Sequence, residues 1–310
     1  MLIEIPRARL REGPAPRIDW KAVRQRLAVA LYLFPGLALV MLFLVGPLIF
    51  VVALSTTNWI GIGVPKEIGL ANFTDLFRDQ SFVKSLINTI AWTLVGAFIQ
   101  APLSTLAALA MMRIKRGAKV IRTILVLPNV IAATALALLW YFIFNPTLGL
   151  LNGTLSSLGL SKLARPWLED PQTALWATMV PFCLYVGFGM ILISSAISTI
   201  PHEYYESAEL DGATIRQQDW HITLPLIRPT VALLVLFNVS YGLRTFEYPF
   251  FMTGGGPANA SSTMSLYIYN QMIVGLRFGA SMAASVVTLL LGAVFMAAVF
   301  FALRRSDPLR

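Results

Sequence analysis

"HEYYESAELDGATIRQQDWHITLPLIRP", residues 202–229, is the polar stretch on which the fold turns. It holds five acids (Glu203, Glu206, Glu209, Asp211, Asp219) against two arginines (Arg216, Arg228), and an oily run flanks it on either side. The chain of 310 residues is 57% hydrophobic and only 13% charged, about half the roughly 25% charge of a soluble domain. Its charges are clustered. A soluble fold needs polar positions on every surface helix, and long tracts here have none.

Working outward, residues 27–57, 85–112, 123–144, 173–201 and 278–303 contain no Asp, Glu, Lys or Arg. Each is long enough for a spanning helix, which needs about 20 mostly apolar residues. Residues 229–252 make a sixth run, interrupted by Arg244 and Glu247. The expected class is an all-α polytopic membrane protein with six transmembrane helices. Prolines 35, 47, 102, 128 and 181 fall inside spans, where membrane helices tolerate them as kinks. The first run follows an Arg-rich tail and is too long for the apolar core of a signal peptide, so it reads as a retained helix.

Lysine and arginine set the expected orientation. Seven lie in the tail 1–26, five in 113–122, two in 202–229 and three after residue 303, against seven on the alternate side. By the positive-inside rule both termini and the opening stretch face the cytoplasm. The net charge of +9, concentrated in "RARLREGPAPRIDWKAVRQR" (7–26), also resembles a phosphate-binding arm. Orientation explains it better, because the other basic residues flank apolar runs too, and no nucleic-acid partner is expected. The external segments 58–84, 145–172 and 253–277 are too short for domains. The expected organisation is a basic tail, 1–26, and a transmembrane domain, 27–310, with a cytoplasmic segment at 201–228. Cys183, the single cysteine, sits in an apolar run and packs as a small apolar side chain.

The opening stretch reads as two short helices around a turn. Pro201 suits a first helical turn, and the acids after it favour the positive end of the helix dipole. Gly212 permits a left-handed cap, after which 213–221 winds again until Pro225 stops it. Ser207, Ala208, Gly212 and Ala213 leave one side of the bend bare. A plain solvated loop is the alternative on composition alone.

The spacing goes further. Glu206-Ser207-Ala208, three residues, Gly212, nine residues, then Ile222-Thr223-Leu224-Pro225 resembles the EAA motif of permeases from binding-protein-dependent ABC importers, departing only at Ser207. The resemblance implies a type I ABC importer permease fold, with Glu206, Ser207, Ala208, Asp211, Gly212, Ile222, Leu224 and Pro225 in a coupling helix docked on an ATPase. No G-x-x-x-x-G-K-[ST] phosphate loop occurs in the chain. ATP and Mg are therefore expected on a partner ATPase and no cofactor on this chain. "FEYPFFMTGGGPANASSTMSLYIYNQMI" (246–273) is similar to the F-D-x-x-x-x-x-T-x-G-G-P segment of sugar permeases of the maltose and glycerol-3-phosphate type, with Glu247 for the usual Asp. With "LANFTDLF" (70–77) and "RTILVLPNVI" (122–131), the likeness covers residues 28–305. It implies a second homologous permease, two copies of an ATP-binding subunit, an extracytoplasmic solute-binding protein and membrane lipids as partners, in a bacterial or archaeal inner membrane.

Catalytic constellations are missing. His202 and His221 lack metal-ligand spacing, and neither G-x-S-x-G nor H-E-x-x-H occurs, so the chain is not expected to be an enzyme. Polar residues within spans are more informative, since uncompensated ones are costly there. Asn238, Tyr241 or Gly242, and Thr245 recur at helical spacing as one polar stripe. In the maltose-type permeases, sugar-contacting positions fall on Asn238, Gly242 and Thr245, and on Leu184, Tyr185 and Phe188 in the preceding helix. The alternative is a stripe that only bonds across a helix interface. Arg244 and Glu247 either pair on one helix face or lie beyond an early helix end. The expected function is import of a sugar, polyol or sugar phosphate. The rivals are an ABC permease for another solute and an ion-driven secondary transporter, for which Glu247 is the only acid near a span.

Overall fold

The computed structural model describes residues 20–114 and 116–305; residues 1–19 of the basic tail lie outside it. Contacts divide the chain into Met1–Phe50 and Val51–Arg310. In the first unit a helix, Trp20–Val40, runs through a widened π turn at Met41–Val45 and on into a helix that begins at Gly46. The side chains of Leu31, Tyr32 and Phe43 are exposed, as expected of a run whose solvent is lipid.

Helices are the regular elements of the second unit's described residues, with turns and loops between them and an isolated bridge joining Thr57 and Glu67. Gln80–Arg113, Ala174–Ile197, Ile215–Arg244 and Phe278–Phe301 are long and apolar enough to span, as is Leu27–Ser55 at the start of the chain. The third expected span is not one rod. Ala118–Val130 and Ala133–Ile143 meet at 103°, with Ile131 and Ala132 extended between them. Among the described residues that makes five candidate spans, or six if the bent pair counts as one.

Glycines set the closest approaches. A side chain at Gly242 would lie 2.7 Å from Thr93 Cα, and one at Gly189 would lie 2.6 Å from Ser104. The second span therefore packs backbone-close on the fourth and fifth, as small residues permit in membranes. Between them lie an apolar cluster of Trp92, Leu136, Met179, Phe182, Tyr248 and Met252 and another of Ala101, Ala108, Met190, Ile193, Ile227 and Leu234.

The segments 58–84 and 253–277 are ordered by buried amides and hydroxyls. Asn72 Nδ2 donates to the carbonyls of Ser55 and Thr57, both at 2.8 Å. Asn88 Nδ2 donates to Ala260 and Ser262 at 3.0 and 2.8 Å, and Thr89 Oγ1 accepts from the Met264 amide. Tyr267 donates to Asp79 at 2.7 Å; burial first, and then that carboxylate, push its hydroxyl above the usual tyrosine range. Glu247–Thr253 and Met264–Tyr269 are short helices on either side of the Gly-rich loop.

One expectation needs correction at the fifth span, and one open alternative is decided there in favour of an early helix end. Pro225 does not end a helix: Ile215–Gln218 continues through a π turn, Asp219–Thr223, into Leu224–Arg244. The Leu224 amide reaches back to the Asp219 carbonyl, and a widened turn of this kind leaves room for a proline ring that a regular turn would clash with. At the other end the helix stops at Arg244, Thr245 is extended, and Glu247 opens the next helix. Arg244 and Glu247 therefore do not share a helix face, and no ion pair joins them among the described residues.

Candidate functional site

The segment expected to couple is built by capping. Glu203–Leu210 forms the first helix, with Glu203 and Glu206 in its first turn. Pro201 lies before that turn, its carbonyl accepting from Tyr204 at 3.3 Å. At the other end the Gly212 amide donates to Glu209 (3.0 Å) and the Ala213 amide to Ala208 (2.8 Å). This paired closure needs a left-handed residue, and Gly212 supplies φ +76°. Thr214 then caps the next helix in a reciprocal box with Gln217.

The motif residues divide by burial. Glu206, Ser207, Asp211, Gly212 and Pro225 are exposed, whereas Ala208, Ile222 and Leu224 are half-buried. Beside the exposed set stand Tyr204, Leu210, Ile215 and Trp220, of which Leu210 is 90% exposed. Two ties join the segment to the span beneath it: Tyr205 Oη lies 3.0 Å from the buried Thr223 Oγ1, and Arg113, ending the second span, pairs with Asp219. A Cβ added at Gly212 meets nothing within 4 Å. Only its backbone conformation constrains that position within this chain.

A half-open cavity of about 340 Å³ lies farther along the same helix, walled by Phe237, Asn238, Tyr241 and Arg244 of the fifth span. Three departures from regular helix geometry converge there. Gln100 comes from a π turn in the second span, Ile131 and Ala133 from the bend, and Tyr185 from the break at the end of Ala174–Leu184. Irregular backbone at membrane depth is tolerated where it lines a cavity. The freed Tyr185 carbonyl accepts from Gln100 Nε2 at 3.3 Å.

Asn238 connects these pieces: its Nδ2 donates to the Gly96 carbonyl at 2.9 Å and to Gln100 Oε1 at 2.5 Å. Trp140 Nε1 donates to the Tyr185 hydroxyl, leaving the hydroxyl proton to donate elsewhere. Tyr241 stacks on Phe182 with centroids 4.8 Å apart, and Phe188 meets Phe237 edge-on. Flat rings beside hydroxyls and amides suit a ligand with C–H faces and many hydroxyls.

Of the seven expected pathway residues, Tyr185, Phe188, Asn238 and Tyr241 line this cavity. Leu184 is exposed outside it, Gly242 faces Thr93, and Thr245 is buried, its carbonyl accepting from Thr263. Gln100, Asn129, Arg244 and Tyr248 also line it and were not anticipated. Gln100 and Asn129 did carry a signal, as lone amides in apolar runs. No cluster of three or more His, Cys, Asp or Glu side chains occurs among the described residues.

Residues 100–308 match the family described as binding-protein-dependent transport system inner membrane component. YurN of Bacillus subtilis, a probable ABC transporter permease protein, is 34% identical over 265 residues, covering 84% of this chain and 90% of that protein. UgpA of Agrobacterium fabrum, an sn-glycerol-3-phosphate transport system permease protein, is 30% identical over 83% of this chain and 88% of its own. The crystal structure of a bacterial alginate ABC transporter, in complex with an alginate pentasaccharide-bound periplasmic protein, contains a chain that superposes with TM-score 0.79 at 26% identity. That match covers 93% of this chain and 98% of the other. Fold, motif and relatives agree: the chain belongs to the inner membrane components of binding-protein-dependent transport systems, the permease subunits of ABC importers.

Proposed function

We infer that this permease carries a sugar, polyol or sugar phosphate into the cytoplasm within an ATP-driven importer. One observation carries the reading: Ile215–Arg244 is a single helix that begins at the capped coupling segment and ends in the wall of the aromatic and amide-lined cavity. Displacement at one end therefore moves the other. The relatives' solutes, sn-glycerol-3-phosphate for UgpA and alginate for the transporter of the superposed chain, are rich in hydroxyls, which suits that lining.

In this reading the exposed face around Glu206, Ser207, Gly212, Leu210 and Trp220 docks on an ATP-binding subunit, present in two copies, that holds ATP and Mg. A second permease closes the open side of the cavity, and an external binding protein delivers the solute. Both termini and the coupling segment face the cytoplasm of a bacterial or archaeal cell. Closure of the ATPases moves the coupling helix, and the spans pivot so that the cavity opens outward.

Gly212 provides the test. Gly212→Val resists positive φ by about 1–2 kcal/mol and presents a branched side chain to the docked subunit. Binding-protein-stimulated ATPase activity should collapse while the subunit still inserts. Gly212→Asn, which tolerates the left-handed region, should retain most of the stimulation. Normal stimulation in reconstituted Gly212→Val membranes would sink the coupling role.

A further inference from the structure

We propose that Arg244 selects an anionic solute, such as a uronate or a phosphate ester of a hydroxylated carbon chain, at the mouth of the cavity. The inference rests on that cavity being the solute site and goes beyond it in naming the charge of the ligand.

Arg244 is the only charged residue in the wall; the other lining residues are aromatic, amide or apolar. Its Nε donates to the Ser240 carbonyl at 3.3 Å, which fixes the stem and leaves the two terminal nitrogens turned away from that bond. No carboxylate pairs with it among the described residues. Glu247, three positions on, belongs to the first turn of the next helix and does not line the cavity.

An arginine at the end of a membrane span can carry its head group to the interface; this one instead lines the cavity. Here the guanidinium presents a fork that matches carboxylate and phosphate oxygens in pairs. The same cavity offers the Tyr185 hydroxyl proton and the stacked Tyr241 ring for hydroxyls and C–H faces. A neutral sugar would use the second set alone. An anionic one uses both.

The test compares matched probes on the assembled importer, purified through this chain, by saturation-transfer NMR. D-Glucuronate and D-glucose share a ring and differ at one carbon; sn-glycerol 3-phosphate and glycerol form a second pair. The anion of each pair should bind about tenfold more tightly or better, as a charged hydrogen bond implies, and the margin should shrink as salt rises. Arg244→Gln should bring each anion down to its neutral partner, and Arg244→Lys should keep part of the preference. Equal binding of glucose and glucuronate to the unaltered importer overturns the inference, whether or not the variants assemble. So does an anion preference that survives in Arg244→Gln. Saturable binding of neutral and anionic probes alike leaves the cavity as a sugar site and removes only the charge selection. A complex that binds none of the four removes both.

Discussion

Asn238 lines the cavity, yet its amide hydrogens are directed at Gly96 and Gln100. Its chemistry is therefore that of a clamp shaping the wall, and only its carbonyl remains for a ligand. Asn238→Leu strands the buried Gln100 Oε1, while the Gly96 carbonyl keeps the Ala101 amide, a loss of about 1–3 kcal/mol in a soluble core and nearer 0.6 kcal/mol on average between membrane helices. The melting temperature and yield of the assembled complex should fall, while uptake per assembled complex changes by no more than about twofold. Full stability with a several-fold drop in normalised uptake would instead make the side chain a direct solute contact. At this scale the sequence was informative about type but not direction. Asn238, Gly242 and Thr245 follow helical spacing, but the stripe they trace divides between the cavity, the second span's backbone and the Gly-rich loop. Close backbone approach at Gly242 is what turns it, and no spacing rule reports on a neighbour's backbone.

Among the elements, apolar length and charge clustering located the straight spans, because lipid imposes composition directly on lipid-facing helices. The irregular turns were not legible in this way. Pro128 inside a helix and Pro225 inside a continuous span look alike in sequence, yet one precedes a 103° bend and the other follows a π turn. What separates them is where the freed carbonyls find donors, which depends on tertiary neighbours. The polar segment at 201–228, by contrast, was read well at Gly212, whose left-handed φ follows from local chemistry alone. Its connection to the span is a pair of contacts, and they differ in worth. Arg113–Asp219 is partly exposed and contributes at most about 1 kcal/mol. Tyr205–Thr223 places a hydroxyl on a fully buried partner. Tyr205→Phe and Thr223→Val should each lower solute moved per ATP hydrolysed by a few-fold, consistent with about 0.5–1.5 kcal/mol. The double variant should be no worse than either single one, since both remove one contact. Additive losses would mean that the two side chains act separately.

Across the whole molecule, the Gly-rich loop is held by the second span through contacts more than 170 positions apart in the chain. Asn88 is their centre, its amide reaching the carbonyls of Ala260 and Ser262, with Ser85 bonding Ser262 and Asn259 bonding Ser81 nearby. Long-range ties of this kind fix a surface that local turn chemistry leaves free. The spans pack independently around their own apolar clusters, so losing the tie should loosen the loop without unfolding the bundle. Asn88→Leu keeps the branched shape but strands the Ala260 and Ser262 carbonyls, again about 1–3 kcal/mol. Local stabilities in one protein range from near zero to the global value, and a loss confined to one tie draws on the low end. Hydrogen exchange at residues 253–263 should therefore accelerate by roughly tenfold to a hundredfold, while exchange at residues 174–197 stays as it was. Uptake should fall with the loop's order if that surface receives the loaded binding protein. Acceleration spread evenly over all spans would mean that Asn88 supports the bundle as a whole, and unchanged exchange in the loop would mean that the remaining hydroxyl contacts hold it unaided.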